Sequence, residues 1–170
     1  MKSKEHVRVT TMISVDPGTA FSIFTEEIGS WWKPKVRPLF REGQVGVLKF
    51  EPGPNGRLLE VYPGASNDAF EVGRILTWIP GHRLAFEWRQ LGFGPNDLTQ
   101  VEIRFEAVEN GTRVTLEHLG WESIPVGNLS RHGWSGQAFA AMIGSRWGGL
   151  LTSFRAHALV RRPDKPLFHG

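Results

Sequence analysis

His118 falls where an imidazole would be chemically useful. In the segment 112–119 one parity reads Val114, Leu116, His118, so the ring shares a strand face with apolar side chains. There it would orient a ligand or move a proton. The alternative is a histidine that hydrogen-bonds a neighbour near the sheet edge. Glu60 poses a similar choice, between a buried acid in a cavity and an exposed or salt-bridged strand glutamate. Trp88, which shares its strand face with Leu84 and Phe86, and Trp147 would line an apolar pocket or simply pack the core. The candidate ligand-binding set is Glu60, Phe86, Trp88, Phe105, His118, Trp147, Leu151 and Phe154. No carboxylate stands at a spacing that would orient His118, so no catalytic residue is assigned. His118 and His132 have no recognisable ligand partners, and no metal site is expected.

Other chemistry is excluded by what the sequence lacks. With Cys 0 there is no thiolate metal site, disulfide or cysteine nucleophile. H-E-x-x-H, the phosphate-binding P-loop and the calcium loop are missing. Gly133-Trp134-Ser135-Gly136-Gln137 only approaches a nucleophile elbow, because Gln137 replaces the last glycine. Gly92-Phe93-Gly94 lacks the third glycine of a dinucleotide fingerprint and runs into a strand. No cofactor is expected.

The elements that must position these residues are legible as two periodicities. Val7, Val9, Thr11, Ile13 and Val15 alternate with polar residues, which predicts a half-buried strand. Asp16-Pro17 then opens a helix carrying Ala20, Phe21, Phe24 and Ile28, with Gly29 as its stop. Trp31-Trp32-Lys33-Pro34 reads as a turn or a short second helix. Six strands follow at 47–50, 57–61, 71–79, 83–90, 98–107 and 112–119. They are separated by Pro54-Asn55-Gly56, Pro63-Gly64, Pro80-Gly81, Pro95-Asn96 and Asn110-Gly111. Short turns imply antiparallel neighbours. Trp147, Leu150, Leu151, Phe154 and Ala158 form a helical stripe; whether the helix is continuous through Gly144-Ser145 is left open, the alternative being a break there with a separate helical piece over 134–143. The fold class is therefore α+β: a curved antiparallel seven-strand sheet around a long C-terminal helix, with a cavity between them. Residues 1–6 are expected as a flexible N-terminus, 7–160 as the domain and 161–170 as a loose basic tail.

Composition agrees with one ordinary domain and weakens a nucleic-acid reading. The 170 residues are 40% hydrophobic and 22% charged, with 7 Trp and 11 Phe against 1 Tyr. The net charge is +3 and the pI about 9.6. Lys2, Lys4 and Arg8 against Glu5 give residues 1–8 a charge of +2. Arg161, Arg162 and Lys165 against Asp164 give residues 161–170 the same, leaving −1 between them. The excess positive charge lies at the ends, so no nucleic-acid partner is expected. Trp31-Trp32 before Lys33, Lys35, Arg37 and Arg41 would touch a membrane interface or phosphate, or else fold its rings inward. The longest apolar run, 138–143, is far too short to span a bilayer. The N-terminus has no secretory pattern, and a cytoplasmic location without membrane insertion is expected. A homodimer is left open.

Several ordered pieces carry a family resemblance over residues 7–160. They are Phe24-Thr25 through Ser30-Trp31-Trp32, and Glu51-Pro52 with Gly56-Arg57-Leu58-Leu59-Glu60. Gly73-Arg74-Ile75-Leu76-Thr77-Trp78 follows with Pro80, Arg83-Leu84 and Trp88. Then come Gly111 to His118 with Gly120-Trp121-Glu122, and Trp147-Gly148-Gly149-Leu150-Leu151. Together they resemble the activator of heat-shock protein 90 ATPase homologue group of the START-like (SRPBCC) superfamily. The resemblance implies a helix-grip fold enclosing a hydrophobic ligand cavity, and it brings lipid binding and stress response as associated roles. Relatives include polyketide cyclases, lipid-transfer domains and hydroxylase subunits. The eukaryotic co-chaperone also has an N-terminal chaperone-binding domain, for which the chain has no room. The expected function is binding of a small hydrophobic or aromatic molecule. The alternatives are an enzyme of cyclase, dehydratase or hydrolase type with His118 as acid/base, and a domain that contacts a chaperone.

Overall fold

The computed structural model describes residues 5–33, 40–64 and 68–161. The chain runs β1 (Val7–Ile13), α1 (Pro17–Glu26), α2 (Ile28–Trp31), β2 (Val47–Phe50), β3 (Arg57–Val61), β4 (Ala69–Ile79), β5 (Arg83–Trp88), β6 (Thr99–Val108), β7 (Gly111–Leu119) and α3 (Gly136–Val160). Two single 3-10 turns, Trp121–Ser123 and Leu129–Arg131, lead from β7 into α3. The seven strands form one antiparallel sheet in the order β1-β7-β6-β5-β4-β3-β2. Consecutive strands from β2 to β7 are neighbours, and β1 returns to close the far side.

The alternation read from the sequence sets the two faces. Val101, Ile103 and Phe105 of β6 are buried and stand opposite His118, Leu116 and Val114 of β7. Curling the sheet needs local irregularity, which a bulge supplies. The register shifts at Leu58/Leu59 between β3 and β4, and at Ile75/Thr77 between β4 and β5. Gly73 lies between those bulges. A Cβ there would sit 1.8 Å from the Glu87 carbonyl oxygen, so only glycine lets β4 approach β5 this closely.

The helices start and stop largely for the expected reasons. Asp16 caps α1, accepting from the Thr19 N–H at 3.1 Å and its hydroxyl at 2.6 Å, and Pro17 occupies the first turn. These bonds from Thr19 hold the Asp16 carboxyl below its usual pKa. Gly29 is not the stop: α1 ends at Glu26, and Gly29 lies inside the four-residue α2. A Cβ on Gly29 would come 2.7 Å from a Val47 methyl, so packing against β2 explains the glycine. The helix is continuous through Gly144-Ser145, the point left open by the sequence, and α3 runs unbroken for 25 residues. Its buried stripe is Phe139, Ile143, Trp147, Leu150, Leu151, Phe154 and Ala158. Trp31 and Trp32 fold inward, 0% and 4% exposed. Lys35 and Arg37 lie outside the described residues, as do 1–4 and 162–170. No helix among the described residues is long and apolar enough to cross a membrane.

Charged residues clamp α3 at both ends. Arg131, 1% exposed, pairs with both carboxylate oxygens of Glu5 at 2.7 and 2.9 Å. It also donates to the carbonyls of Ile124 and Trp121 and lies 4.6 Å over the Phe139 ring. Glu5 in turn accepts from the Gly136 N–H, the first of the helix. His6 meets Glu117 at 3.0 Å. Glu5 and His6 stand ahead of the domain boundary expected from sequence. At the far end Glu27 binds His157 at 2.7 Å and Arg161 at 2.9 and 2.7 Å. Arg161 is the first residue of the expected tail.

Removing Arg131 leaves Glu5 partly buried without its cation, a change of about 3–5 kcal/mol in comparable pairs. Arg131→Ala is expected to lower the melting temperature by roughly 10 °C. Arg131 and the Gly136 N–H hold the Glu5 pKa below its ordinary value. The Glu5 contribution is therefore present above pH 4.5 and lost as pH falls through the lowered folded pKa. Urea unfolding of Glu5→Gln from pH 3 to 7 should show a loss near neutrality that narrows in acid.

Candidate functional site

β5, β7 and the middle of α3 bring three predicted residues together. Trp88, His118 and Trp147 line a small cavity with Gln90, Trp121, Ile143, Arg146 and Leu150. The centre of a water molecule has about 10 Å³ there, room for roughly one water. A larger concavity of about 550 Å³ lies on the sheet's opposite face, bordered by Leu76, Leu98, Leu119, Glu87 and Glu122. It is open and flanked by carboxylates. The interior cavity is the one where aromatic rings and polar groups converge.

His118 is the centre of that convergence. The ring is 1% exposed and packs against Trp121, Trp88 and Trp147, with centroids 5.0, 5.6 and 5.8 Å away. The Trp147 indole donates to Nδ1 at 2.9 Å. An indole N–H can only donate, so Nδ1 must be the unprotonated nitrogen. Nε2 then carries the proton and donates to the Thr99 hydroxyl at 2.8 Å. Thr99 passes its own hydrogen to the Trp88 carbonyl at 3.3 Å. Burial in this apolar shell pushes the His118 pKa down to about 3. At neutral pH the ring is uncharged, in one tautomer, with both nitrogens engaged. In this state it cannot act as a general acid.

Of the remaining candidates, Glu60, Phe86, Phe105, Leu151 and Phe154 are all buried but do not line the cavity. Glu60 is not exposed. It accepts from the Tyr62 hydroxyl and from the Gly46 N–H, the latter at 3.1 Å. Phe86 packs on Phe50, and Phe105 packs on Phe21 and Phe24. Phe154 wedges between Phe24 and Trp31. These rings are core.

The residues missed from sequence had local signals. Gln90 continues the parity of Leu84, Phe86 and Trp88, and its side-chain oxygen accepts from the Trp88 indole at 2.8 Å. Ile143, Arg146, Trp147 and Leu150 share one helical face, which is visible only once the helix is known to run through 144–145. Thr99 continues the parity of Val101, Ile103 and Phe105, but only strand register places it beside His118. Among the described residues no cluster of three His, Cys, Asp or Glu side chains could hold a metal ion.

The same architecture recurs in solved proteins. Protein NE0264 of Nitrosomonas europaea superposes with a TM-score of 0.60 at 14% identity, covering 95% of this chain and 97% of its own. DynU16, a protein of the dynemicin biosynthetic locus, gives 0.62 at 17% identity, covering 94% of this chain and 49% of its own. An anthrahydroquino-γ-pyrone synthase, Txn09, is 30% identical over 89% of this chain and 95% of its own, with a TM-score of 0.52. No curated protein sequence matches. The family model described as Activator of Hsp90 ATPase homolog 1-like protein matches residues 14–143. That match spans well over half of the sequence, and the chain belongs to this family of the START-like (SRPBCC) superfamily.

Proposed function

We propose that the chain binds a small hydrophobic, aromatic molecule between the inner face of the sheet and α3, at the cavity around His118. The observation that carries this reading is the placement of polar groups. His118, Gln90 and Arg146 line one void together with Trp88, Trp121, Trp147, Ile143 and Leu150. Burying polar groups opposes folding unless they are paired, and core packing alone gives no reason to collect them here. The name of the synthase relative supports an aromatic polycycle as the ligand class.

A void for one water does not hold a ring system, since small-molecule pockets measure about 300–1,000 Å³. Binding therefore opens the interior, and α3 is soft where opening is needed. Gly144, Gly148 and Gly149 flank Arg146 and Trp147. A Cβ at 144 or 148 would meet nothing within 4 Å, so packing does not require glycine there. Each glycine weakens a helix by about 1 kcal/mol relative to alanine. The clamps at both ends keep α3 in place while its centre yields.

The synthase relative also favours a second reading, an enzyme using His118. Opening that displaces Trp147 removes the N–H from His118 Nδ1 and offers that lone pair to the ligand as a base. A chaperone contact, suggested by the family's name, draws on no feature of the cavity.

Native mass spectrometry of the protein incubated with anthraquinone-2-carboxylate or 2-(hydroxymethyl)anthraquinone should detect a one-to-one complex with at least one of them. Absence of any complex at millimolar compound would remove the reading. A time-dependent change in the mass of the bound compound, lost in His118→Gln, would establish the enzymatic form.

The double variant Gly144→Ala, Gly148→Ala is expected to melt about 4–8 °C higher and to bind these compounds more weakly. Tighter binding would show that helix softness plays no part. His118 supplies a pH test. Below pH 6.5 the unfolded chain takes up a proton that the folded ring refuses until about pH 3. Stability therefore falls as pH drops through this window, by up to about 1.4 kcal/mol per unit. Urea unfolding between pH 5 and 7.5 should be flatter in His118→Gln than in the wild type by that slope.

A further inference from the structure

The hydrogen-bonding groups around the cavity share one property once the protein's own bonds are counted. Those without a partner are all donors. His118 uses both ring nitrogens, and Thr99 both receives and gives a hydrogen bond. The Trp88 indole occupies the Gln90 oxygen, which fixes the direction of that carboxamide. Its NH2 group then has no hydrogen-bond partner among the described residues. The Trp121 indole N–H is buried and likewise without a partner. Arg146 is half-buried on the cavity-lining face of α3. Among the described residues it makes neither an ion pair nor a hydrogen bond. Arg131 is the internal contrast, because every nitrogen of its guanidinium has a partner.

A guanidinium has five N–H donors, no acceptor and a permanent charge. A ligand N–H would meet donors with a donor, leaving groups unpaired in a low-dielectric interior, and a hydroxyl, which can accept through its oxygen, brings no charge to the guanidinium. A carboxylate or phenolate oxygen would pair with several of them at once, and a carboxylate can take the guanidinium two-pronged. Resting on the binding reading above, we infer that the site selects aromatic compounds that present acceptor oxygens to it and carry a negative charge at Arg146. Arg146 is the residue that sets this preference. Trp88, Trp121 and Trp147 bury the rings, and the Gln90 and Trp121 N–H groups receive neutral oxygens.

The test is tryptophan-fluorescence titration with a matched pair of compounds. Anthraquinone-2-carboxylate has the anionic oxygens, whereas 2-(hydroxymethyl)anthraquinone has the same rings and a neutral donor. The wild type is expected to bind the carboxylate at least about tenfold more tightly, the ratio of one good charged contact. Arg146→Gln should lose that ratio while keeping its affinity for the neutral compound. It should also melt like the wild type, since Arg146 supports no other residue. Arg155→Gln removes the same charge from an exposed position on the same helix and should keep the ratio. Equal binding of the two compounds by the wild type, or an undiminished ratio in Arg146→Gln, overturns the inference but leaves the binding reading intact. Failure of both compounds to bind overturns the two together.

Discussion

One helix has to fill the hollow of a seven-stranded curled sheet. Strands stand about 4.8 Å apart, so seven span roughly 29 Å, far wider than a single helix about 10–12 Å across. Large rings close the difference. Trp31, Trp32, Trp88, Trp121 and Trp147 are all buried in that space with Phe24, Phe86, Phe105, Phe139 and Phe154. Indoles bring polar edges with them. Trp31 gives its N–H to the Phe24 carbonyl, Trp88 to Gln90 and Trp147 to His118, while those of Trp32 and Trp121 have no hydrogen-bond partner among the described residues. Polar side chains enter this interior partly as partners for tryptophan. Their clustering beside a void is what packing leaves unexplained.

The charged residues around α3 distribute stability unevenly. Glu5, Arg131 and Gly136 fix its entry. At its exit Glu27 is held so firmly by Arg161, and next by His157, that its pKa falls to about 2. The buried Glu5–Arg131 pair contributes less net stability than its geometry suggests, because both ions have left water, and the pair of Glu27 with the exposed Arg161 contributes little because solvent screens it. Their effect is to choose one position for the helix. Between them the glycine-bearing turn relies on Trp147 and Leu150 pressing into the sheet, the contact that the proposed ligand would replace. Rigidity at the ends and compliance at the centre thus arise from different interactions and change independently.

The strands were legible because alternation and turn residues are local signals. Val101, Ile103, Phe105 and His118 could be assigned to the inner face before any pairing was known. Gly144-Ser145 left the continuity of the helix open because glycine weakens a helix without ending one that a sheet supports from Phe139 to Ala158. The cavity was only half legible. Trp88, His118 and Trp147 follow from parity and helical spacing, but Thr99 meets His118 only through the β6–β7 register. Arg131 and Glu5 are 126 positions apart, and neither is marked out by its surroundings. Phe86, Phe105, Leu151 and Phe154 share their faces with site residues and still lie away from the cavity. Periodicity identifies a face; it does not say how far along that face the void lies.

The positions of the lining residues explain how one fold can accommodate different ligands. Gln90 lies beyond the end of β5, Trp121 in a 3-10 turn after β7, and Arg146 on the half-exposed flank of α3. None takes part in a strand pairing or occupies the deepest line of the helix stripe. Exchanging them alters the hydrogen-bonding character of the cavity without disturbing the register of β4 to β7. His118 and Trp147 are different, because their bond joins sheet to helix, and a change there alters packing and site together. Function in this architecture is consequently set at its margins. A low identity to a solved relative leaves the fold secure while the chemistry of the bound molecule has to be read from those few side chains.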